Sequence, residues 1–223
     1  MAVTQRTPAA TLAPASRPRR LTGGGTTGNE RLTAATGAAL LALLAVIGLT
    51  LLQLRQLLSV HMFVGMLLIG PVALKLGSTG YRFVRYYTRN PAYRHEGPPA
   101  APLRVIAPII ILSTIVVLAT GVALLFAGPS SRDTLLPIHK DSFFVWAVFT
   151  GLHVLAYLPR IPAALRADYS HTTRLSSDVT GRSGRVLALA GALIAGVVLA
   201  VLVIPEFGPW LHDSGLFHHH HGG

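Results

Sequence analysis

The sequence predicts an all-α integral membrane bundle of about five transmembrane helices, and three observations lead there. Of 223 residues, 51% are hydrophobic and 12% charged, with a mean hydropathy of +0.54, a balance foreign to a water-soluble globule of this length. Uncharged apolar runs recur five times, near 33–54, 57–77, 105–126, 138–158 and 186–204. Each approaches the roughly 20 residues that a helix needs to cross about 30 Å of hydrocarbon. The cations are also one-sided. Of nineteen Lys and Arg, fifteen fall in the N-terminal tail and in the second and fourth connections, whereas Arg55, Arg132 and Lys140 lie on the opposite side and Lys75 lies within a span. The cation-rich side is expected in the cytoplasm, which puts the N-terminus in and the C-terminus out.

Taken in order, residues 1–32 are rich in Thr, Ala, Pro and Gly and are expected as a disordered cytoplasmic tail. No charged start directly precedes a short apolar stretch with a cleavage site, so the first span reads as an uncleaved anchor. Backbone groups in lipid must be satisfied within their own segment, and no alternating ten-residue pattern suggests a barrel, so the spans are expected as helices. Gly70 and Pro71 interrupt the second span and predict a kink there. Residues 33–158 form the first four spans, 159–185 a cytoplasmic loop, 186–204 a fifth span with Gly191 and Gly196, and 205–223 an extracytoplasmic His-rich tail. His212 and the run His218 to His221 in that tail read either as a transition-metal binder or as a shortened purification tag.

Composition narrows the chemistry. The net charge of +11 sits in short juxtamembrane connections, where anionic lipid headgroups account for it and nucleic acid is not required. With no cysteine, the chain has no disulfide, thiolate nucleophile, iron–sulfur ligand or covalent haem attachment. Phosphate loops, dinucleotide fingerprints and dense acidic clusters are likewise missing from the sequence, so no soluble catalytic machinery is expected.

The informative residues are ionisable groups inside the apolar runs, because such groups are costly in lipid and mark function by default. His61 lies near the outer end of the second span and Lys75 near its inner end; His139 and His153 occupy the matching places on the fourth. In each pair the two residues are fourteen apart, almost four helical turns, so they share a helix face and stand roughly 21 Å apart along the axis. The second and fourth spans run parallel, which sets His61 level with His139 and Lys75 level with His153. His95 and His171, in cytoplasmic connections, read as solvated surface residues.

The segments HMFVGMLLIGPVALK and HKDSFFVWAVFTGLH resemble the membrane-embedded b-type cytochromes. In that family a four-helix up-down bundle holds haem between two parallel helices, each with two histidines separated by thirteen residues. The resemblance covers about 125 residues and implies that His61 and His139 are axial ligands of an outer haem b iron, with His153 as one ligand of an inner haem. Lys75 stands where the fourth histidine belongs, and an ammonium must lose its proton before it can bind iron. One complete haem site is therefore expected, and Lys75 is expected to snorkel to the headgroups. Gly48, Gly65 and Gly121 are candidate positions for close approach of the ring, and Arg55 and Lys140 are the cations nearest the ligands for its propionates, with Arg132 the third on that side. Phe143, Phe144, Trp146 and Phe149, and the tyrosines at 81, 86, 87 and 93, read as packing and interfacial anchors.

Bis-histidine ligation fills both axial positions and suits outer-sphere electron transfer. The function implied is that of an electron-transfer subunit of the bacterial plasma membrane, working between a quinone or other donor and a redox partner, rather than a complete enzyme with catalytic residues. The alternative is a structural or accessory multi-pass protein whose intramembrane histidines make polar contacts.

Overall fold

The computed structural model describes residues 25–95, 101–158 and 181–212, and every element among them is helical. They comprise α1 (Gly25–Leu52), α2 (Leu54–Tyr87), α3 (Pro91–His95), α4 (Ala101–Phe126), α5 (Pro129–Tyr157), α6 (Arg182–Leu202), a 3-10 turn (Ile204–Phe207) and α7 (Gly208–His212). The tail before residue 25, most of the 159–185 connection and the His218 to His221 run lie outside the described residues. Residues 25–32, expected in the tail, belong to α1.

Among the described residues, four helices are long and apolar enough to cross a membrane: Gly25–Leu52, Leu54–Tyr87, Val105–Phe126 and Arg182–Leu202. The expected 138–158 span is the later part of α5, which falls short of that standard. Arg132, Asp133, His139, Lys140 and Asp141 occupy its first half and leave an uncharged apolar stretch shorter than the others. Its second half still turns Phe144, Val148, Leu152 and Leu155 outward. Large apolar side chains are exposed on the other long helices too, among them Leu49, Phe83, Leu112, Phe126, Ile194 and Leu202. An apolar exterior on this scale belongs to a chain whose solvent is lipid.

Two tight helical hairpins organise the chain. Gln53 alone separates α1 from α2, and within α2 the residue with non-helical dihedrals is Leu57 (φ −107°, ψ 19°), so the break lies there instead of at Pro71. Ala127 and Gly128 join α4 to α5, with Pro129 opening α5, a position where its missing N–H costs nothing. α2 has 34 residues and is therefore about 51 Å long, more than a bilayer core needs. Its far end carries Tyr81, which packs edge-on against Tyr93 of α3 at 6.0 Å. The turn out of α2 places Arg89 at φ 60°, and Asn90 N–H donates to the Arg85 carbonyl at 3.1 Å, closing the helix as a left-handed cap.

α2 packs along α1 on one side and α6 on another, whereas α5 packs along α4. The seam between α2 and α6 is the tightest in the fold. A Cβ added at Gly70 would strike the Ala192 carbonyl, and one at Gly196 would strike the Leu67 carbonyl. The Leu67 carbonyl is the one that Pro71, lacking an N–H, cannot engage four residues on. Gly196 lets α6 lie directly over it, a small-residue contact of the kind that holds helices together in lipid. α6 is thus a main partner of α2, not an addition to a four-helix unit.

The two groups meet through α2 and α4. There Met66, Leu125, Ala200, Val203 and Phe207 form one buried cluster. A second, of Ile47, Val64 and Leu68, fills the α1–α2 interface. α7 closes that end of the molecule: Trp210 Nε1–H donates to the Leu124 carbonyl at 3.2 Å, and the Arg132 guanidinium lies 4.2 Å from the Trp210 ring centroid.

Candidate functional site

α2 and α5, which carry the four in-register ionisable residues, pack mainly against other helices: α2 against α1 and α6, and α5 against α4. His61 lies within electrostatic reach of His139, and His153 within electrostatic reach of Lys75.

At the His61–His139 level each imidazole is tied to a threonine on the neighbouring helix. His61 Nδ1 is 3.0 Å from Thr50 Oγ1 of α1, and His139 Nδ1 is 3.0 Å from Thr120 Oγ1 of α4. Thr50 is 1% exposed, and its hydroxyl donates to the Ile47 carbonyl at 2.6 Å. Thr120 donates to the Val116 carbonyl at 2.7 Å. Buried hydroxyls are expected to find such partners. Both arrangements leave Nε2 as the ring nitrogen outside these contacts.

The glycines divide into two kinds. A Cβ on Gly121 would come within 3.2 Å of His139 Cε1, so that glycine allows the imidazole to lie against α4. A Cβ on Gly48 or Gly65 would meet no atom within 4 Å; packing within the chain does not require glycine at either place.

At the other level the two residues are not equivalent. Lys75 Nζ donates to the Thr33 carbonyl at 2.7 Å and fits against Gly37, where a Cβ would lie 3.1 Å from it. Its ammonium is thus anchored on α1 rather than reaching along the helix as a snorkelling lysine does. The surrounding contacts are polar: Thr33 Oγ1 donates to Ser78 Oγ at 3.1 Å, Ser78 Oγ donates to the Lys75 carbonyl at 3.0 Å, and Asn29 Nδ2 donates to the Ser78 carbonyl at 3.1 Å.

Between the levels, α5 carries Trp146, whose Nε1–H donates to Thr114 Oγ1 at 3.0 Å and whose ring stacks on Phe143 at 6.0 Å. These contacts are packing, as expected. Of the three cations considered for propionates, Arg132 is engaged by the Ala127 carbonyl at 3.1 Å and by Trp210, while Lys140 is exposed.

Sequence reasoning missed Thr50, Thr120, Thr33, Gly37, Asn29 and Ser78. A faint signal existed for the first two, since a threonine inside an apolar run marks a polar point within a span. Among the described residues no group of three or more His, Cys, Asp or Glu gathers as a metal cluster, and the candidate site consists of the two imidazoles of His61 and His139. No protein-family model matches the chain, nor does a curated protein or a solved structure.

Proposed function

We propose that the chain is a b-type cytochrome-like membrane subunit that carries single electrons through one haem held between His61 and His139. The observation that supports this reading most is that two histidines on different helices, within electrostatic reach of one another, are each held through Nδ1 by a threonine of a neighbouring helix. A porphyrin supplies four equatorial nitrogens, so two imidazoles are the protein donors such a group needs. The glycines at 48 and 65, unused by protein packing, fit a ring close to α1 and α2.

When bound, the haem supplies one-electron chemistry. His61 and His139 together would supply both protein donors to its iron, an arrangement suited to electron transfer rather than oxygen binding. His61 and His139 would hold the iron through Nε2, and the apolar helices that carry them would keep water from it. Lys75, drawn to Thr33 on α1, leaves His153 without a second imidazole, so the stoichiometry proposed is one haem per chain.

The topology that accompanies this reading has α5 as a further span, its exposed apolar second half in lipid, and the cation-rich ends in the cytoplasm. His61 and His139 then lie near the outer face. A quinone or another donor, and a redox partner near that face, are the partners proposed.

The competing reading, an accessory membrane protein, draws on the same hydrogen bonds, since each histidine already has a polar partner. A dithionite-reduced minus oxidised visible spectrum of the detergent-purified chain separates the two, with a pyridine haemochrome count. One haem per chain with sharp low-spin bands is the expected result. A colourless protein from haem-replete cells would overturn the cytochrome reading.

A further inference from the structure

We infer that Thr50 and Thr120 are the positioning residues of the proposed haem site, each fixing its histidine with the proton on Nδ1 so that Nε2 presents the lone pair to the iron. The inference rests on the haem reading above and deepens it.

It follows from counting hydrogens. The Thr50 hydroxyl oxygen lies 2.6 Å from the Ile47 carbonyl oxygen. Two oxygens at that separation need a hydrogen between them, and the carbonyl has none. The single hydroxyl proton of Thr50 is therefore committed to Ile47. The 3.0 Å contact with His61 Nδ1 must then use a hydrogen on the ring. A neutral imidazole has one N–H, so Nε2 of His61 is bare.

The same count holds across the site. Thr120 commits its proton to the Val116 carbonyl at 2.7 Å and so can only accept from His139 Nδ1 at 3.0 Å. Gly121, beside Thr120, gives the imidazole the room to reach this position. Two threonines on different helices thus produce one tautomer in two histidines, and that tautomer is the one iron requires at Nε2. The tautomer is assigned from the hydrogen-bond network, and the metal-bound imidazole is known to be oriented by the partner of its other nitrogen.

The partner also sets the electronics. A hydroxyl acceptor draws the Nδ1 proton only weakly, so the imidazole remains neutral and moderately donating. Loss of the acceptor makes it a poorer donor to ferric iron and raises the reduction potential.

The test uses the full chain in detergent. Thr50→Val and Thr120→Val keep the shape of the side chain and remove the acceptor; Thr50→Ser and Thr120→Ser keep it. Each Val variant is expected to hold haem about tenfold less tightly and to show a potential shifted upward, with the Ser variants returning both toward the wild type. Val variants that match the wild type in potential and retention, while His61→Ala loses haem, would overturn the positioning role and leave the haem reading intact. A wild type without haem removes the haem reading itself. Nitrogen-15 chemical shifts of the histidines in the haem-free chain give a second readout that does not depend on the variants folding. Nδ1–H signatures for His61 and His139 are expected, and an Nε2–H signature at either overturns the inference.

Discussion

The two levels between α2 and α5 begin from the same sequence geometry and end as different environments. In each, a residue on α2 faces a histidine on α5, and in each a neighbouring helix supplies a polar partner. At the first level the partners are threonine hydroxyls that engage one nitrogen of each imidazole and leave Nε2 outside these contacts. At the second, the Thr33 carbonyl of α1 takes the Lys75 ammonium, and Gly37 clears space for it. Register places residues at the same height, but the neighbouring helix decides whether they stay available to one another. A lysine with three donors is readily drawn to a carbonyl, whereas an imidazole can satisfy one nitrogen and keep the other.

The largest expected effect treats both levels alike. Gly196→Leu drives a side chain into the Leu67 carbonyl, and because the obstacle is backbone it cannot be relieved by a rotamer. Overpacking of this kind costs about 3 kcal/mol or more. The expected outcome is loss of monodisperse protein on size exclusion in detergent, with both levels lost together; a well-behaved variant with the wild-type melting temperature would show that the seam is looser than described.

His139→Ala should separate the levels. It is expected to abolish bound haem on the pyridine haemochrome assay while the helical circular dichroism stays at wild-type strength, because the α4–α5 contact does not depend on the imidazole. Haem content at the wild-type value would place the cofactor elsewhere.

Lys75→His should make the levels more alike. It removes the ammonium from Thr33 and offers a second imidazole opposite His153, so haem per chain is expected to rise from one toward two. A value that stays at one would mean that α1 draws residue 75 away whatever its side chain.

The smallest effect is expected from Gly121→Ala. The added methyl meets His139 Cε1 at 3.2 Å, so the ring must give way by a few tenths of an ångström. Haem retention should fall only severalfold, about 1 kcal/mol or less, with a small spectral shift. A null result in competition with apomyoglobin would show that the imidazole has slack against α4.

The sequence alone carried the all-helical class, the apolarity of the long helices and the fourteen-residue spacings of His61 to Lys75 and His139 to His153, because helical rise and side-chain periodicity are local properties of the chain; it did not show that α1 begins at Gly25, that α2 runs on to Tyr87 or that the expected 138–158 span falls short of the others. It also drew attention to Gly70, Pro71, Gly121 and Gly196, without indicating which backbone each would meet. Tertiary structure decided the rest: that α6 lies on α2, that α2 breaks at Leu57, that Lys75 turns to α1, and that Thr50 and Thr120 support the two imidazoles. In a water-soluble bundle an apolar stripe tells which face of a helix turns inward. Here the faces toward lipid and toward neighbouring helices are both apolar, so the rotation and axial shift of one helix against the next are fixed only by close backbone approach and interhelical hydrogen bonds, which exist once the helices have met.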